Sequence, residues 1–430
     1  MKQNIKPRLL ILTSSFPREP NDETCGYVRQ LARQLAPEFN VTVLAPADRR
    51  AKAISGEPYK LIRSSSLLPD RLNPFQSATD LNGLREASLL MKLAAAIALL
   101  GFFVKALRLA RQTEVICSHW LLPSGLIGAL LSSGLRKPHI AVEHSGALHL
   151  LARLRGGKAI AGFIVARSRR VIVVSEDLRR KLIALCPDAS RKIKVIPMGV
   201  TMNGPESVAQ ITLDTNADDE YQYGPGLYAR PCKQAEPFIL FIGRLIKIKG
   251  VDVLLAALHE MGGARLVIAG DGPERRHLED LARRLRVNAD FLGQVNAATR
   301  DTLLTACAVL VIPSRVLAER TEGMPVVCLE AMAAGCAVIA ARAGGLAEII
   351  RDQHNGFLFE PDDAGMLAEK LRLLLNDATR RARLGQNARR TAMDYTWPRV
   401  AASYARLIKD SLDDHAIDND TSANAERAAC

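Results

Sequence analysis

The sequence predicts an α/β protein built from two doubly wound, parallel-sheet halves. Three observations point there. Apolar runs of strand length alternate with helix-period segments along most of the chain. A stretch without periodicity, rich in Gly, Asn, Asp, Gln and Pro, interrupts that alternation at residues 203–236. The 430 residues suffice for two domains of ordinary size, each with its own core.

In the first half, residues 1–202, Arg8–Thr13 has the length and apolarity of a buried parallel strand. A polar loop containing Phe16 and Pro17 leads to Gly26–Ala36. That segment is helical by its spacing of Val28, Leu31 and Leu35, and it stops at Pro37. Val41–Ala45, Glu114–Ser118, His139–Glu143, Val171–Val174 and Ile193–Ile196 read as further strands, with helices at Gly125–Ser133 and Glu176–Ala184. Leu93–Val104 is apolar all round and ends in Lys92 and Lys105. Twelve such residues fall short of the roughly 20 a membrane span needs, so the run reads as a buried helix between sheet and surface. A helix dipping into one leaflet, with Lys92, Lys105, Arg108 and Arg111 on the headgroups, is the alternative.

In the second half, residues 237–393, the strands are Phe238–Ile242, Arg265–Ala269, Val309–Pro313 and Ala337–Ala340. The helices between them are Gly250–His259, Glu274–Leu285 and Pro325–Ala334. Amphipathic helices follow at Asp362–Leu375 and Thr379–Thr391, and a closing helix occupies 394–412. Residues 413–430 are small and polar and are expected to be a disordered tail.

The net charge of +13 is unevenly placed: residues 1–200 carry 31 Lys and Arg against 14 Asp and Glu, whereas residues 201–430 carry 27 against 31. The first half therefore suits an anionic neighbour, such as a membrane surface or a lipid phosphate. Nucleic acid is not expected, because the chain has no nucleic-acid motif and only 5% aromatic residues for stacking. The eight cysteines form no C-x-x-C pair, so reduced, mostly buried thiols in a cytoplasmic protein are expected, and no zinc site. The start of the chain is polar and basic, without a secretory signal.

The chemistry-bearing residues cluster at strand ends. Gly243-Arg244 follows a strand and Lys249-Gly250 opens a helix, a setting in which a guanidinium fork, an ammonium and free backbone N–H groups suit a diphosphate. Glu322 and Glu330 lie eight residues apart at the mouth of an apolar helix. At ~1.5 Å per residue they stand about 12 Å apart or less along the axis, a span that lets one carboxylate reach a sugar ring and the other a ribose. Gly323 and Met324 sit at that helix start, where phosphate is again favoured. Gly270-Asp-Gly-Pro273 turns tightly after its strand, and Asp271 reads equally as an ordinary turn residue. His144 follows a strand in Glu143-His-Ser-Gly146. A lone histidine is more often structural, and His119 competes with it at a similar strand end.

Taken together, these residues resemble the retaining glycosyltransferases of the GT-B fold, specifically glycosyltransferase family 4. The resemblance covers nearly the whole chain. It is strongest from Gly243 to Phe359, through Gly-Arg…Lys-Gly, Gly-Asp-Gly-Pro, Glu-Gly…Leu-Glu-Ala-Met-Ala and Gly-Gly…Glu-Ile-Ile…Asn-Gly-Phe. It implies two Rossmann-like domains facing a cleft, with a basic acceptor side and a nucleotide-sugar side. By this resemblance Arg244 and Lys249 hold the donor diphosphate, Gly26 lies near its phosphates, and Glu330 holds the ribose. Glu322 and His144 work at the donor sugar, with Gly323, Met324 and Val326 touching it. No metal or other cofactor is expected. Glu-Gly-Met-Pro stands where the family often has Glu-Gly-Phe-Gly, so Pro325 removes one backbone donor.

The expected activity is transfer of a sugar from a UDP- or GDP-sugar to a glycan or polyprenyl-linked acceptor in cell-surface polysaccharide synthesis. The site of action would be the cytoplasm or the cytoplasmic face of an anionic membrane. A sugar-nucleotide epimerase of the same architecture and a non-catalytic nucleotide-sugar-binding protein are the alternatives.

Overall fold

The computed structural model describes residues 6–20, 22, 25–48, 50–64, 88–202, 237–317 and 321–429. The irregular stretch at 203–236 lies outside them. The chain divides into two compact units, one formed by Met1–Met198 with Trp397–Cys430 and the other by Gly199–Thr396.

The first unit contains β1 (Arg8–Thr13), α1 (Gly26–Leu35), β2 (Asn40–Ala45), β3 (Lys60–Arg63), α2 (Leu89–Ala110), β4 (Val115–His119), α3 (Leu126–Leu135), β5 (His139–Glu143), α4 (Gly146–Arg153), α5 (Gly157–Arg167), β6 (Arg170–Val173), α6 (Glu176–Leu185) and β7 (Ile193–Val195). Its sheet runs β3-β2-β1-β4-β5-β6-β7, with every pair parallel. Strand order reverses between β1 and β4, which opens a crevice at their carboxyl ends. Alternation along β1 explains the two cores. Leu9 and Ile11 pack with Val28, Leu31 and Leu35 of α1, whereas Leu10 and Leu12 face Phe102, Ala106 and Leu131 on the other side.

The second unit contains β8 (Phe238–Ile242), α7 (Val251–Met261), β9 (Arg265–Ala269), α8 (Arg275–Arg284), β10 (Ala289–Gly293), α9 (Ala297–Ala306), β11 (Val309–Ile312), α10 (Val326–Ala334), β12 (Ala337–Ala341), α11 (Leu346–Ile349), β13 (Phe357–Phe359), α12 (Ala364–Asn376) and α13 (Ala378–Ala392). Its parallel order is β10-β9-β8-β11-β12-β13, with the reversal between β8 and β11. Both units thus present their loops at the carboxyl edge of a switch point.

Two expectations are corrected. Helix α14 (Trp397–Ala429) does not end near residue 412; it runs on through the segment read as a disordered tail. Its start buries Trp397, Val400, Tyr404 and Ile408 in the core shared with α1. Beyond residue 412 it is held by ion pairs from Arg170 to Asp414 (3.1 Å) and from Arg169 to Asp418. Small polar residues carry no apolar stripe, but the alanines among them are good helix formers and simply extend a helix already nucleated.

Helix α2 is not the buried helix expected of an all-apolar run. Phe102, Ala106 and Ala110 pack on the sheet, but Leu89, Leu93 and Leu100 are 83%, 58% and 63% exposed, with Leu90, Ile97 and Val104 also open. At 22 residues it is long and apolar enough to cross a membrane by length and composition alone. Phe102, Phe103, Leu107 and Leu109 lie toward the protein while Leu89, Leu93, Leu100 and Val104 face away, a division that hydropathy alone cannot show.

One packing constraint is sharp enough to test. A Cβ on Gly128 of α3 would lie 2.4 Å from the His139 ring, which is fully buried. Gly128→Ala should lower the stability of the N-terminal unit by roughly 1–3 kcal/mol, the cost of overpacking. Denaturant titration of the full chain checks this, and an unchanged midpoint would contradict the packing.

Candidate functional site

In the second unit the loops leaving the carboxyl edge touch backbone to backbone. Gly243 N–H donates to Ala269 O (3.0 Å), Leu245 N–H to Asp271 O (2.9 Å) and Gly270 N–H to Gly293 O (2.7 Å). A Cβ at Gly270 (φ +144°) would sit 1.9 Å from Gly243 O, and one at Gly272 would sit 2.3 Å from Leu245 O. Across the switch point, a Cβ at Gly250 (φ +63°) after β8 would meet Pro313 O after β11 at 2.0 Å. Gly344 (φ +50°) likewise abuts Glu322 O, and Gly345 abuts Gly323 O. Glycine is required here because no side chain fits between the strands of loop.

This interlocking gathers the predicted residues of the second unit. Arg244 is exposed directly after β8. Lys249, in the short turn Lys247–Lys249 before Gly250, forms an ion pair with Glu322 Oε1; the two side chains are only 18% and 10% exposed. Glu322 Oε2 is buried with no hydrogen-bond partner among the described residues. Gly323, Met324 and Pro325 are buried beside it, and α10 starts at the half-buried Val326. Pro325 precedes the helix rather than opening it, and its carbonyl receives Cys328 N–H at 3.0 Å. Glu330, in the second turn of α10, forms an ion pair with Arg300, Oε1 to Nη1 at 3.1 Å. The sequence gives no hint of Arg300, because only tertiary folding brings the start of α9 against α10. Asp271 takes the turn role: its Oδ1 accepts Gly272 N–H at 2.7 Å.

The first unit builds a second cluster at the ends of β4 and β5. His144 is flanked by Tyr27 (ring centroids 4.8 Å) and Trp120 (5.0 Å). Its Nε2 lies 3.0 Å from His119 Nδ1. The two histidines therefore do not compete for one role; the fold joins them. Gly26 opens α1 just before Tyr27, after Cys25 at φ 54°. Backbone strain surrounds the cluster, with Trp120 at φ 67° and Ser145 at φ 136°, each costing about 1–3 kcal/mol. The turn is fixed by the fully buried Glu143, whose carboxylate accepts the N–H groups of Leu121 (2.9 Å) and Ser145 (2.8 Å). Burial raises the Glu143 carboxyl above its ordinary value, against the pull of those donors. Tyr27 and Trp120 were missed from sequence; for Trp120 an aromatic directly after a strand end at the switch point was the available signal, whereas Tyr27, inside the first turn of α1, carried none.

His139 is the structural histidine of this region. Ser118 and Ser168 hydroxyls occupy its Nε2 (2.7 Å) and Nδ1 (3.0 Å). Burial lowers both His139 and His119 to about 3, and burial together with the His119 neighbour holds His144 well below its ordinary value.

Comparison with known proteins places this geometry. The family model for glycosyl transferases group 1 matches residues 230–391, and that for glycosyltransferase family 4 matches residues 26–203. An uncharacterized glycosyltransferase of Methanocaldococcus jannaschii is 30% identical over 308 residues, 69% of this chain and 75% of that protein. A D-inositol 3-phosphate glycosyltransferase of Xylanimonas cellulosilytica is 29% identical over 320 residues, 69% of this chain and 72% of its own length. Among solved structures, Anabaena HepE in complex with UDP-glucose superposes with a TM-score of 0.69 at 20% identity, covering 94% of this chain and 100% of that one. Sucrose-phosphate synthase from Thermosynechococcus elongatus gives 0.70 at 22% identity, covering 94% and 98%. At such identities these two structures establish the fold.

The buried histidines make stability pH-dependent. An unfolded histidine takes its proton near 6.5, whereas folded His119 and His139 take theirs near 3. Between those values the unfolded chain binds more protons, so acid favours unfolding. Glu143, raised on folding, acts in the opposite sense, one group against three. The denaturation midpoint of the N-terminal unit should fall steadily from pH 6.5 toward 5; a flat profile would contradict neutral burial.

Proposed function

Because this chain is a group 1 glycosyltransferase of the GT-B fold, we propose that it moves a sugar from a nucleotide diphosphate sugar to a glycan or lipid-linked acceptor with retention at the anomeric carbon. The observation that carries this reading is the union of Lys249 with Glu322 in the glycine-interlocked loops. A cation suited to a diphosphate and a carboxylate suited to a sugar occupy one spot. Structural neighbours solved with UDP, UDP-glucose and ADP support a nucleotide-sugar donor.

In the proposed mechanism Arg244 and Lys249 bind the diphosphate, with Gly26 approaching its phosphates. Glu330, paired with Arg300, accepts from ribose hydroxyls. Glu322, Gly323, Met324 and Val326 orient the donor sugar, and His144 meets it near the reacting carbon. The bond from the anomeric carbon to the diphosphate oxygen breaks while a bond to the acceptor hydroxyl oxygen forms on the same face. The acceptor proton passes to the leaving phosphate oxygen. Negative charge growing on the diphosphate is met by the two cations, which supply the stabilisation without a metal.

The N-terminal unit would receive the acceptor at an anionic membrane surface, in keeping with cell-surface polysaccharide synthesis on a polyprenyl-linked carrier. The exposed face of α2 supports this: Leu89, Leu93, Ile97, Leu100 and Val104 form one stripe, and Arg108 and Arg111 continue it. Apolar residues would enter the lipid while the arginines meet headgroup phosphates.

Two measurements test these readings. Glu322→Gln should lower turnover of the productive UDP-, GDP- or ADP-sugar, assayed with EDTA present, at least about a hundredfold. It should leave nucleotide binding by calorimetry within a few-fold, whereas Arg244→Ala should weaken that binding about ten- to a hundredfold. Full turnover in Glu322→Gln would overturn the assignment. For the membrane, the full chain should float with vesicles containing phosphatidylglycerol, and a Leu93→Asn, Ile97→Asn, Leu100→Asn variant should stay behind. Equal flotation of both proteins would remove α2 from the interface.

A further inference from the structure

Of the three histidines at β4 and β5, only His139 has both ring nitrogens occupied by protein. His119 and His144 engage one nitrogen each, and they engage it with each other. Their outer nitrogens, His119 Nε2 and His144 Nδ1, are buried with no partner among the described residues. The two rings are nearly parallel, at 9°. Both are kept neutral by burial.

Proton counting makes this arrangement informative. A neutral imidazole carries one N–H. The pair has two hydrogens, and the shared contact uses one of them. The second hydrogen must sit on one of the two outer nitrogens. If His119 donates in the shared bond, His144 carries its hydrogen on Nδ1. If His144 donates, its Nδ1 is bare and the hydrogen sits on His119 Nε2. The tautomer of one ring therefore dictates that of the other. The residues differ in overall exposure, His119 at 1% and His144 half-buried between Tyr27 and Trp120, though both outer nitrogens are themselves buried. A buried N–H with no partner is the costlier orphan, and on the reading of His144 as the donor-sugar contact the sugar would relieve it at Nδ1.

We propose that His119 is a positioning residue for glycosyl transfer: by bonding His144 Nε2 it fixes the ring orientation and tautomer of His144, leaving Nδ1 as the nitrogen that meets the donor sugar. This rests on the reading of His144 as the donor-sugar contact. His119 does not touch substrate. Its influence passes through one hydrogen bond, and the strained Trp120 and Ser145 backbones on either side hold the two rings in register.

The test uses the full-length chain with His119→Asn, whose amide can still bond, and His119→Phe, which fills the space without a nitrogen. Long-range ¹H–¹⁵N histidine spectra should show a single His144 tautomer in the parent and in His119→Asn. In His119→Phe the two His144 nitrogens should move toward the averaged shifts of a mixture. With whichever of UDP-glucose, GDP-mannose and ADP-glucose the parent turns over, His119→Phe should lower kcat about 10- to 100-fold. KM for the donor should stay within about threefold, and His119→Asn should recover most of kcat. An unchanged His144 spectrum in His119→Phe would overturn the pairing, with or without turnover. Equal loss in both variants, matched by lost stability, would reduce His119 to a packing role. If His144→Ala keeps full turnover, the donor-sugar reading of His144 itself fails. If His144→Ala is inactive while His119→Phe keeps kcat, only the present inference falls.

Discussion

The approach of backbone to backbone at the carboxyl edge of the second sheet is the constraint on which the site depends. Loops after β8, β9, β11 and β12 meet at separations that leave no room for a Cβ at Gly250, Gly270, Gly344 or Gly345. Parallel sheets send every one of these loops to the same edge, and the reversal of strand order between β8 and β11 separates them into two groups. The glycines then let the groups close on each other. Lys249 belongs to one group and Glu322 to the other, so their contact follows from that closure.

An ion pair in such a place adds little to stability, because desolvating both charges offsets most of their attraction. On the proposed function its value is preorganisation. Lys249 is held where a diphosphate is proposed to bind, and Glu322 keeps one oxygen buried and without a partner among the described residues. A ligand that supplies a phosphate to the lysine and a hydroxyl to the carboxylate satisfies both groups together, at less cost than ordering two free side chains. The first unit follows the same logic with a buried carboxylate and two neutral imidazoles. There a buried carboxylate, Glu143, spends its acceptors on backbone N–H groups to hold a strained turn. The turn in turn holds His144 against His119.

Much of this was legible from residues alone. β1 and β8 are short apolar runs, and burial on both faces of a parallel sheet demands that composition. The elements that were missed are amphipathic in other ways or too short. β3 is a half-buried edge strand containing Lys60 and Arg63, and β13 is only three residues. Helix α9 carries little apolar pattern, yet it brings Arg300 to Glu330. The stretch at 413–429 lacks periodicity because its helix extends from a packed start and needs no stripe of its own.

The sequence by itself determined the fold class, the reversal-prone strand–helix alternation and the chemical types gathered at strand ends. Those depend on local composition and spacing, which the chain states directly. Tertiary structure decided which groups meet: Lys249 with Glu322, Glu330 with Arg300, His119 with His144, and it decided the exposure of Leu89, Leu93, Ile97 and Leu100 on α2. Each of these pairings joins residues 25 to 73 positions apart on different loops or helices or, for α2, depends on which side of a helix the sheet covers. No local pattern encodes such contacts, because they arise from sheet order and from backbone approach at glycine.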